Sequence, residues 1–194
     1  MKRVFIIHGW GGYPKEGWFP WLKKELQKKD FKVFVPQMPN AEYPKITAWV
    51  KKLKQEVGKV DKDTYFVGHS IGCQTILRYL EFLKTGEKIG GVVFVAGWVN
   101  LNIKAIEEEQ EGSSKIVMPW IKSSIKWGEV KKRINKIIMI FSTNDPVVPL
   151  GDVKVFKKKL KPKIIICKNK GHFIGSDGVV KLPVVLESVL EISK

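Results

Sequence analysis

The chain reads YFVGHSIG over Tyr65–Gly72, a short apolar run that leads into a serine with glycines two positions before and after it. Apolar residues recur at helical spacing after Gly72, so the serine is expected at a tight turn from a β-strand into an α-helix. Such a turn lifts the hydroxyl of Ser70 above the sheet and leaves the N–H of Ile71 free to bind an oxyanion. The pattern predicts a nucleophile elbow at Ser70, and a chance match in a glycine-rich loop is the alternative.

The apolar runs in the rest of the chain predict the sheet that carries this turn. Six runs are continuous rather than alternating, which is typical of parallel strands covered on both faces. They are Val4–Ile7, Val33–Val35, Tyr65–Val67, Val92–Val95, Ile137–Phe141 and Ile164–Cys167. Amphipathic helical patterns separate them. The sequence therefore predicts one doubly wound α/β domain over residues 1–194, with helices on both faces of a mainly parallel six-stranded sheet.

One segment, from Gly97 to about Lys126, fits neither pattern. It is longer than a usual loop, and it contains the acidic run Glu107–Glu111. Two interpretations remain open, a small cap over the carboxyl edge of the sheet or a mobile segment. The acidic run is interpreted as a solvated face rather than a binding site.

A serine nucleophile needs a base, and the chain has only three histidines. His8 ends the first predicted strand and His69 lies inside the elbow, so local backbone geometry constrains both. His172 follows the sixth strand, and open α/β sheets place reactive groups in loops at the carboxyl ends of strands. We therefore expect His172 to be the base, although taken alone it would be interpreted as a surface-loop histidine.

The base needs a carboxylate that orients it, and three aspartates are candidates. Asp145 follows the fifth strand in a loop that Pro146 and Pro149 stiffen. Asp152 is more simply a helix cap, and Asp177 is more simply a turn residue. With Asp145 the chain order becomes serine, aspartate, histidine, which is the order of α/β-hydrolases and differs from that of chymotrypsin and subtilisin.

The glycine-rich loop HGWGG, His8–Gly12, follows the first strand. A loop at this place can deliver a second backbone N–H to an oxyanion, and Trp10 is expected to supply it. The spacing is neither that of a dinucleotide-binding fingerprint nor that of a phosphate-binding loop. No organic cofactor is therefore expected.

Composition limits the other functional classes. Lysine supplies nearly all of the 35 basic residues, and the formal net charge is +16. Scattered lysines and only three arginines favour a solvated surface over a nucleic-acid site, so nucleic acid is not expected as a partner. The two cysteines, Cys73 and Cys167, form neither a disulfide framework nor a metal motif, so a reduced, cytoplasmic setting without a metal is expected. The sequence has no apolar run of membrane-spanning length and no signal-peptide core at its start.

Four motifs together resemble the small serine hydrolases of the family that includes retinoblastoma-binding protein 9 and YdeN-like proteins. They are HGWGG at His8–Gly12, GHSIG at Gly68–Gly72, NDPVVP at Asn144–Pro149 and GHF at Gly171–Phe173. Length and motif order match from end to end. The resemblance implies an α/β-hydrolase fold with strand order 2-1-3-4-5-6. It also implies a triad of Ser70, Asp145 and His172 that hydrolyses small esters or related acyl substrates. The retinoblastoma-binding LxCxE motif is absent, so that partner is not implied.

The expected function is a serine hydrolase, most simply a carboxylesterase that acts on small acyl esters through an acyl-enzyme. An amidase or thioesterase with the same three residues is an alternative. A second alternative is a binding protein that kept the hydrolase shell and holds nucleic acid or an acidic partner with its lysines. The three triad residues argue against the second alternative, because binding requires none of them.

Three tryptophans are candidates for contact with the substrate. Trp10 lies in the oxyanion loop, Trp98 follows the fourth strand, and Trp120 lies in the segment 97–126. Bulky rings near the carboxyl edge of the sheet would leave a short slot for the acyl group. Ordinary core packing of the rings is the alternative.

Overall fold

The fold is built on a six-stranded sheet in which every neighbouring pair of strands is parallel. A computed structural model describes all residues, Met1–Lys194. The strands are β1 (Arg3–Ile7), β2 (Lys32–Phe34), β3 (Thr64–His69), β4 (Ile89–Val95), β5 (Ile134–Ser142) and β6 (Lys163–Cys167). Their order is β2-β1-β3-β4-β5-β6, which confirms the expected topology.

Eight α-helices accompany the strands. They are α1 (Phe19–Gln27), α2 (Ile46–Val57), α3 (Ile71–Glu81), α4 (Ile103–Glu109), α5 (Ser113–Lys122), α6 (Trp127–Arg133), α7 (Asp152–Leu160) and α8 (Pro183–Ile192). One group pairs α1 with α8, and a second group runs from α2 through α3 and α6 to α7. No helix combines the length and apolar character that a bilayer crossing requires.

The core lies on both sides of the central strands. Every residue of β3 and of β4 is buried, which requires cover on both faces of the sheet. The helix after the serine, α3, is itself buried from Ile71 to Leu80. Burial of each large apolar side chain stabilises the fold by about 1.5–3 kcal/mol. The core therefore forms a rigid base for the loops at the carboxyl edge of the sheet.

The segment 97–126 is more regular than its sequence pattern indicated. It contains α4 and α5, of 7 and 10 residues, joined by a left-handed glycine at Gly112. Helices of two or three turns carry too few apolar repeats for the pattern to be recognised. Leu101, Ile106 and Val117 of this segment line the cleft that contains Ser70, which is the arrangement of a cap.

Candidate active site

Ser70 occupies a strained turn between β3 and α3. Its backbone has φ 51° and ψ −119°, in a region that non-glycine residues rarely adopt. The turn can be this tight because Gly68 and Gly72 carry no side chain. A Cβ on Gly68 would lie 2.9 Å from the backbone of Cys73, and one on Gly72 would overlap the carbonyl oxygens of Ile7 and His8. The glycines thus let α3 start directly above the sheet, with Ser70 at its N-terminus.

The hydroxyl of Ser70 has no hydrogen-bond partner within the protein, although the residue is only 8% exposed. Its backbone N–H donates to the carbonyl of Val95 at 3.0 Å, which ties the turn to the end of β4. The side chain faces the same cleft as His172. No hydrogen bond joins Ser70 Oγ to the imidazole, and contacts of this kind are often long until a substrate is bound.

Asp145 and His172 are joined directly. Nδ1 of His172 lies 2.9 Å from Oδ2 of Asp145, and the side chains are 13% and 2% exposed, respectively. The other carboxylate oxygen, Oδ1, accepts hydrogen bonds of 2.9 Å from the N–H groups of Val147 and Val148. Because all these contacts converge on one carboxylate, Asp145 fixes both the ring orientation and the tautomer of His172.

A polar run at the end of β5, Ser142–Asn144, holds the His172 loop in place, a role that was not predicted from the sequence. Oδ1 of Asn144 accepts from the N–H of Gly171 at 2.9 Å and from the hydroxyl of Ser142 at 2.8 Å. Oγ of Ser142 accepts from the N–H of Lys170 at 2.9 Å. The signal in the sequence was the polar triplet before Asp145, but its partners lie 27 and 28 positions further along the chain.

Two backbone N–H groups near Ser70 are free to bind an oxyanion. Ile71 is the first residue of α3, so its N–H has no partner within the helix. The N–H of Trp10 also makes no backbone hydrogen bond, whereas its neighbours Gly11 and Gly12 donate to Ala41 and Gly9. Both Trp10 and Ile71 line the cleft beside Ser70.

The other two histidines serve the structure around the site. His8 is fully buried, its Nδ1–H donates to the carbonyl of Gly9 at 2.8 Å, and its Nε2 accepts from the N–H of Met38 at 3.0 Å. The Nε2–H of His69 donates to the carbonyl of His172 at 2.7 Å, which ties the elbow to the loop of the predicted base. Burial lowers the pKa of both, for His69 to about 3.

We expect His69 to make the fold sensitive to acid. Burial, followed by repulsion from His172, lowers the pKa of His69 from 6.5 to about 3. Below pH 6.5 the unfolded chain binds a proton at this residue and the folded chain does not, so acid favours unfolding. The free energy of unfolding should fall by about 1.4 kcal/mol per pH unit between these values from His69 alone.

Urea titrations at several pH values measure this effect against the variant His69→Gln, whose amide N–H can still donate but does not titrate. The variant should lose stability less steeply as the pH falls. Equal slopes in the two proteins would show that His69 takes up its proton in the folded state as readily as in the unfolded chain.

The cleft above Ser70 has a volume of about 800 Å3 and combines apolar, polar and charged walls. Trp10 lines it, with its indole N–H bound to the carbonyl of Glu42 at 2.8 Å. Trp98 also lines it and is 1% exposed. The carbonyl of Trp98 accepts a hydrogen bond from the side chain of Gln74 on α3, so this wall is attached to the helix that follows Ser70.

The structure corrects the expectation that Trp120 contacts the substrate. Its ring does not line the cleft; it is 1% exposed, packs edge-on against Trp49 and donates from Nε1 to the carbonyl of Pro44 at 3.0 Å. The guanidinium of Arg78 lies 5.5 Å from the ring centroid. Trp120 was predicted to lie near the site because it belongs to the segment 97–126. In the structure it lies on the inward face of α5, and its ring is buried in the core.

Asp152 is not the helix cap that its position before an amphipathic run indicated. It is the first residue of α7 and is 1% exposed. Its Oδ2 accepts from the N–H groups of Val99 and Asn100 at 2.6 and 2.8 Å, and Oδ1 accepts from Nδ2 of Asn100 at 2.6 Å. The carboxylate therefore anchors the loop after Trp98, because the fold brings that loop to the N-terminus of α7.

Comparison with known proteins agrees with this architecture. A family model described as serine hydrolase matches residues 4–191. YdeN of Bacillus subtilis strain 168, whose name describes it as a hydrolase, is 30% identical over 191 residues, with 96% of this chain and 93% of YdeN covered. The serine hydrolase RBBP9 of Rattus norvegicus is 24% identical over 178 residues, with 90% of this chain and 89% of RBBP9 covered.

Solved structures extend the agreement to the fold. The crystal structure of the Bacillus subtilis ydeN product superimposes with a TM-score of 0.88 at 27% identity, covering 99% of this chain and 98% of the other. Est1E of Butyrivibrio proteoclasticus superimposes with a TM-score of 0.71 at 16% identity, covering 98% and 88%, and shares the fold. Since the family model covers nearly the whole chain and every residue of the site described above, the chain belongs to the serine hydrolase family.

Proposed function

We propose that this protein is a carboxylesterase that hydrolyses small acyl esters through Ser70, His172 and Asp145. The observation that carries the proposal is the hydrogen bond between His172 Nδ1 and Asp145 Oδ2, beside a cleft that holds the unbonded hydroxyl of Ser70. Family membership supports hydrolysis in general, whereas the geometry supports these three residues.

In the proposed first step, Oγ of Ser70 attacks the ester carbonyl while Nε2 of His172 takes the hydroxyl proton. Asp145 stabilises the imidazolium that forms, because its Oδ2 already faces the Nδ1–H. The protonated His172 then gives its proton to the leaving alcohol, and an acyl-enzyme remains on Ser70. Water deprotonated by the same imidazole releases the acid and restores the serine.

The negative charge that develops on the carbonyl oxygen needs donors that are already in place. The N–H groups of Ile71 and Trp10 meet this need, since neither has another partner. The positive end of α3 adds to the stabilisation, because the helix begins at Ile71. Removing one such donor typically costs about 10²–10³ in kcat, so both are expected to matter.

A fluorophosphonate probe combined with a substrate panel tests the proposal. The probe should label one residue, identified as Ser70 by mass spectrometry of the digested protein. Matched ester, thioester and amide substrates with the same acyl group then separate the carboxylesterase from the thioesterase and the amidase. Labelling at another residue, or an amide turned over faster than its ester, would overturn the proposal.

We expect acetyl to butyryl esters to be hydrolysed with higher kcat/KM than esters with acyl chains of about ten carbons. Only 8 of the 21 residues that line the cleft are hydrophobic, so a long chain would gain little of the roughly 0.8 kcal/mol per methylene that full burial provides. An acyl series measured below the micellar limit tests this expectation, and a steady rise towards long chains would contradict it.

The variant Trp98→Leu, which removes part of the cleft wall, should move the optimum towards longer chains. Trp120→Phe is the matched control, since that ring lies in the core and outside the cleft, and its optimum should not move.

A further inference from the structure

Apart from two histidines, every ionisable side chain that lines the active-site cleft is acidic. The acidic residues are Glu16, Glu42, Glu109 and Asp177. None of the 35 lysines and arginines lines the cleft, although the formal net charge of the chain is +16. None of the four carboxylates takes part in an ion pair. The cleft therefore has the opposite charge to the molecule as a whole.

Other groups mark this cleft as a binding site independently of its carboxylates. Ser70 is more than nine-tenths buried, faces the cleft and leaves its hydroxyl without a partner. The N–H groups of Ile71 and Trp10 are also unbonded beside it. Buried polar groups are normally satisfied, so a hydroxyl donor and two N–H donors left open at one place indicate a ligand.

The four carboxylates reach the cleft from four separate parts of the fold. Glu16 precedes α1, Glu42 precedes α2, Glu109 ends α4 and Asp177 ends a one-turn helix after the His172 loop. The carboxylate of Glu16 lies closest to the oxyanion loop, since a Cβ on Gly12 would be 2.6 Å from its Oε2. The acidic character thus belongs to the whole rim and not to one local run of sequence.

Two indole rings share this lining. Trp98 is 1% exposed, whereas Trp10 is half-buried, so the ring of Trp10 is the one that a ligand can reach. The face of an indole attracts an organic cation more strongly than other aromatic rings do. Carboxylates combined with indole rings favour an ammonium group and disfavour a carboxylate or phosphate. A purely apolar acyl group would use the rings but would leave the carboxylates without a positively charged partner.

We infer that the cleft selects acyl substrates that carry an ammonium group and rejects anionic ones. This inference rests on the proposed esterase function and narrows its substrate class. The ammonium group can lie on the acyl side or on the leaving-group side of the ester, because acidic residues border the cleft from several directions. No lysine lies in the lining, so none is placed to contact an anionic substrate there.

Isosteric ester pairs test the inference. One pair has an acyl chain that ends in trimethylammonium or in tert-butyl, and the other pair is a choline ester and its tert-butyl analogue. Within each pair size and shape are matched and only the charge differs. In at least one pair kcat/KM should be about tenfold higher for the cation, as expected from several partly exposed charges acting together. An acyl chain that ends in a carboxylate should be hydrolysed more slowly than either.

Variants show whether the carboxylates cause the preference. The double variant Glu42→Gln/Glu109→Gln should lower the ratio of cationic to neutral kcat/KM at least threefold. The control Glu111→Gln removes an exposed carboxylate from the same segment that does not line the cleft, and its ratio should equal that of the wild type. An unchanged ratio in the double variant, or an equal fall in the control, would overturn the inference.

Binding to the Ser70→Ala protein, measured by calorimetry with both isosteric pairs, tests selectivity without turnover. The cationic member should bind about tenfold more tightly in the pair that shows the kinetic preference. Equal binding and equal kcat/KM within both pairs would overturn the inference and leave the esterase intact. Absence of both ester turnover and probe labelling would overturn the proposed function instead, and the binding ratio would still decide whether the cleft selects cations.

Discussion

Replacement of Ser70 by alanine is expected to abolish fluorophosphonate labelling and to lower ester turnover by up to about a millionfold. The hydroxyl would be the attacking atom, and no other serine lies in a strand-to-helix turn with this geometry. The fold should be retained, because Oγ makes no hydrogen bond that the substitution would break. Alanine also adopts φ 51° no less easily than serine, so stability should change by less than about 1 kcal/mol.

Ser176→Ala is the matched control for this experiment. Ser176 also lines the cleft, but it lies in the one-turn helix after the His172 loop, and its backbone does not adopt the positive φ that Ser70 has. The control should still be labelled by the probe. Esterase activity that survives in cleanly purified Ser70→Ala protein, or labelling that disappears in Ser176→Ala, would exclude Ser70 as the nucleophile.

The substitution Asp145→Asn should lower kcat by about 10⁴ while the protein remains folded. The N–H groups of Val147 and Val148 already donate to Oδ1, so the amide oxygen of asparagine would take that position. Its NH2 group would then face Nδ1 of His172, where a carboxylate oxygen now accepts. The imidazole would move its proton to Nε2, and this nitrogen could no longer accept the proton of Ser70 in the proposed mechanism.

Asp152→Asn provides the comparison, because this carboxylate is equally buried but serves the loop at Val99 and Asn100. The amide oxygen could still accept from the two backbone N–H groups, but the NH2 group would face Nδ2 of Asn100, another donor. This mismatch should cost about 1–3 kcal/mol of stability and far less activity than Asp145→Asn. Measuring kcat together with the urea midpoint of both variants separates the two roles. A larger fall in kcat for Asp152→Asn would assign the orienting carboxylate to Asp152.

The sequence alone predicted the fold class because the relevant signals are local. Continuous apolar runs such as Val4–Ile7 and helical spacing after Ser70 each extend over a few residues, so hydrophobic period and strand burial can be inferred without a structure. The glycines at positions 68 and 72 likewise indicated a tight turn at Ser70, since only a close approach of two backbones requires both. Strand order came from the motif resemblance and agrees with the observed sheet.

Tertiary structure decided the features that join distant parts of the chain. Asn144 holds the loop of His172, and Asp152 holds the loop after Trp98 although its local pattern predicted a cap. Trp120 turns into the core, whereas Trp98 borders the cleft. The side chains of Asn144, Asp152 and Trp120 have partners tens of residues away, and only the folded chain brings those partners within hydrogen-bonding distance.

The charge of the cleft is the clearest case of this difference. Composition established a strongly basic chain, with a formal net charge of +16, and gave no sign of an acidic site. Glu16, Glu42, Glu109 and Asp177 are scattered over more than 160 positions. They meet around one cleft only because β1, β2, β4 and β6, which precede them, end at the same edge of the sheet. Net charge depends on composition alone and would be the same for any order of the same residues. The electric field at a site depends instead on the distances between charges, which folding creates.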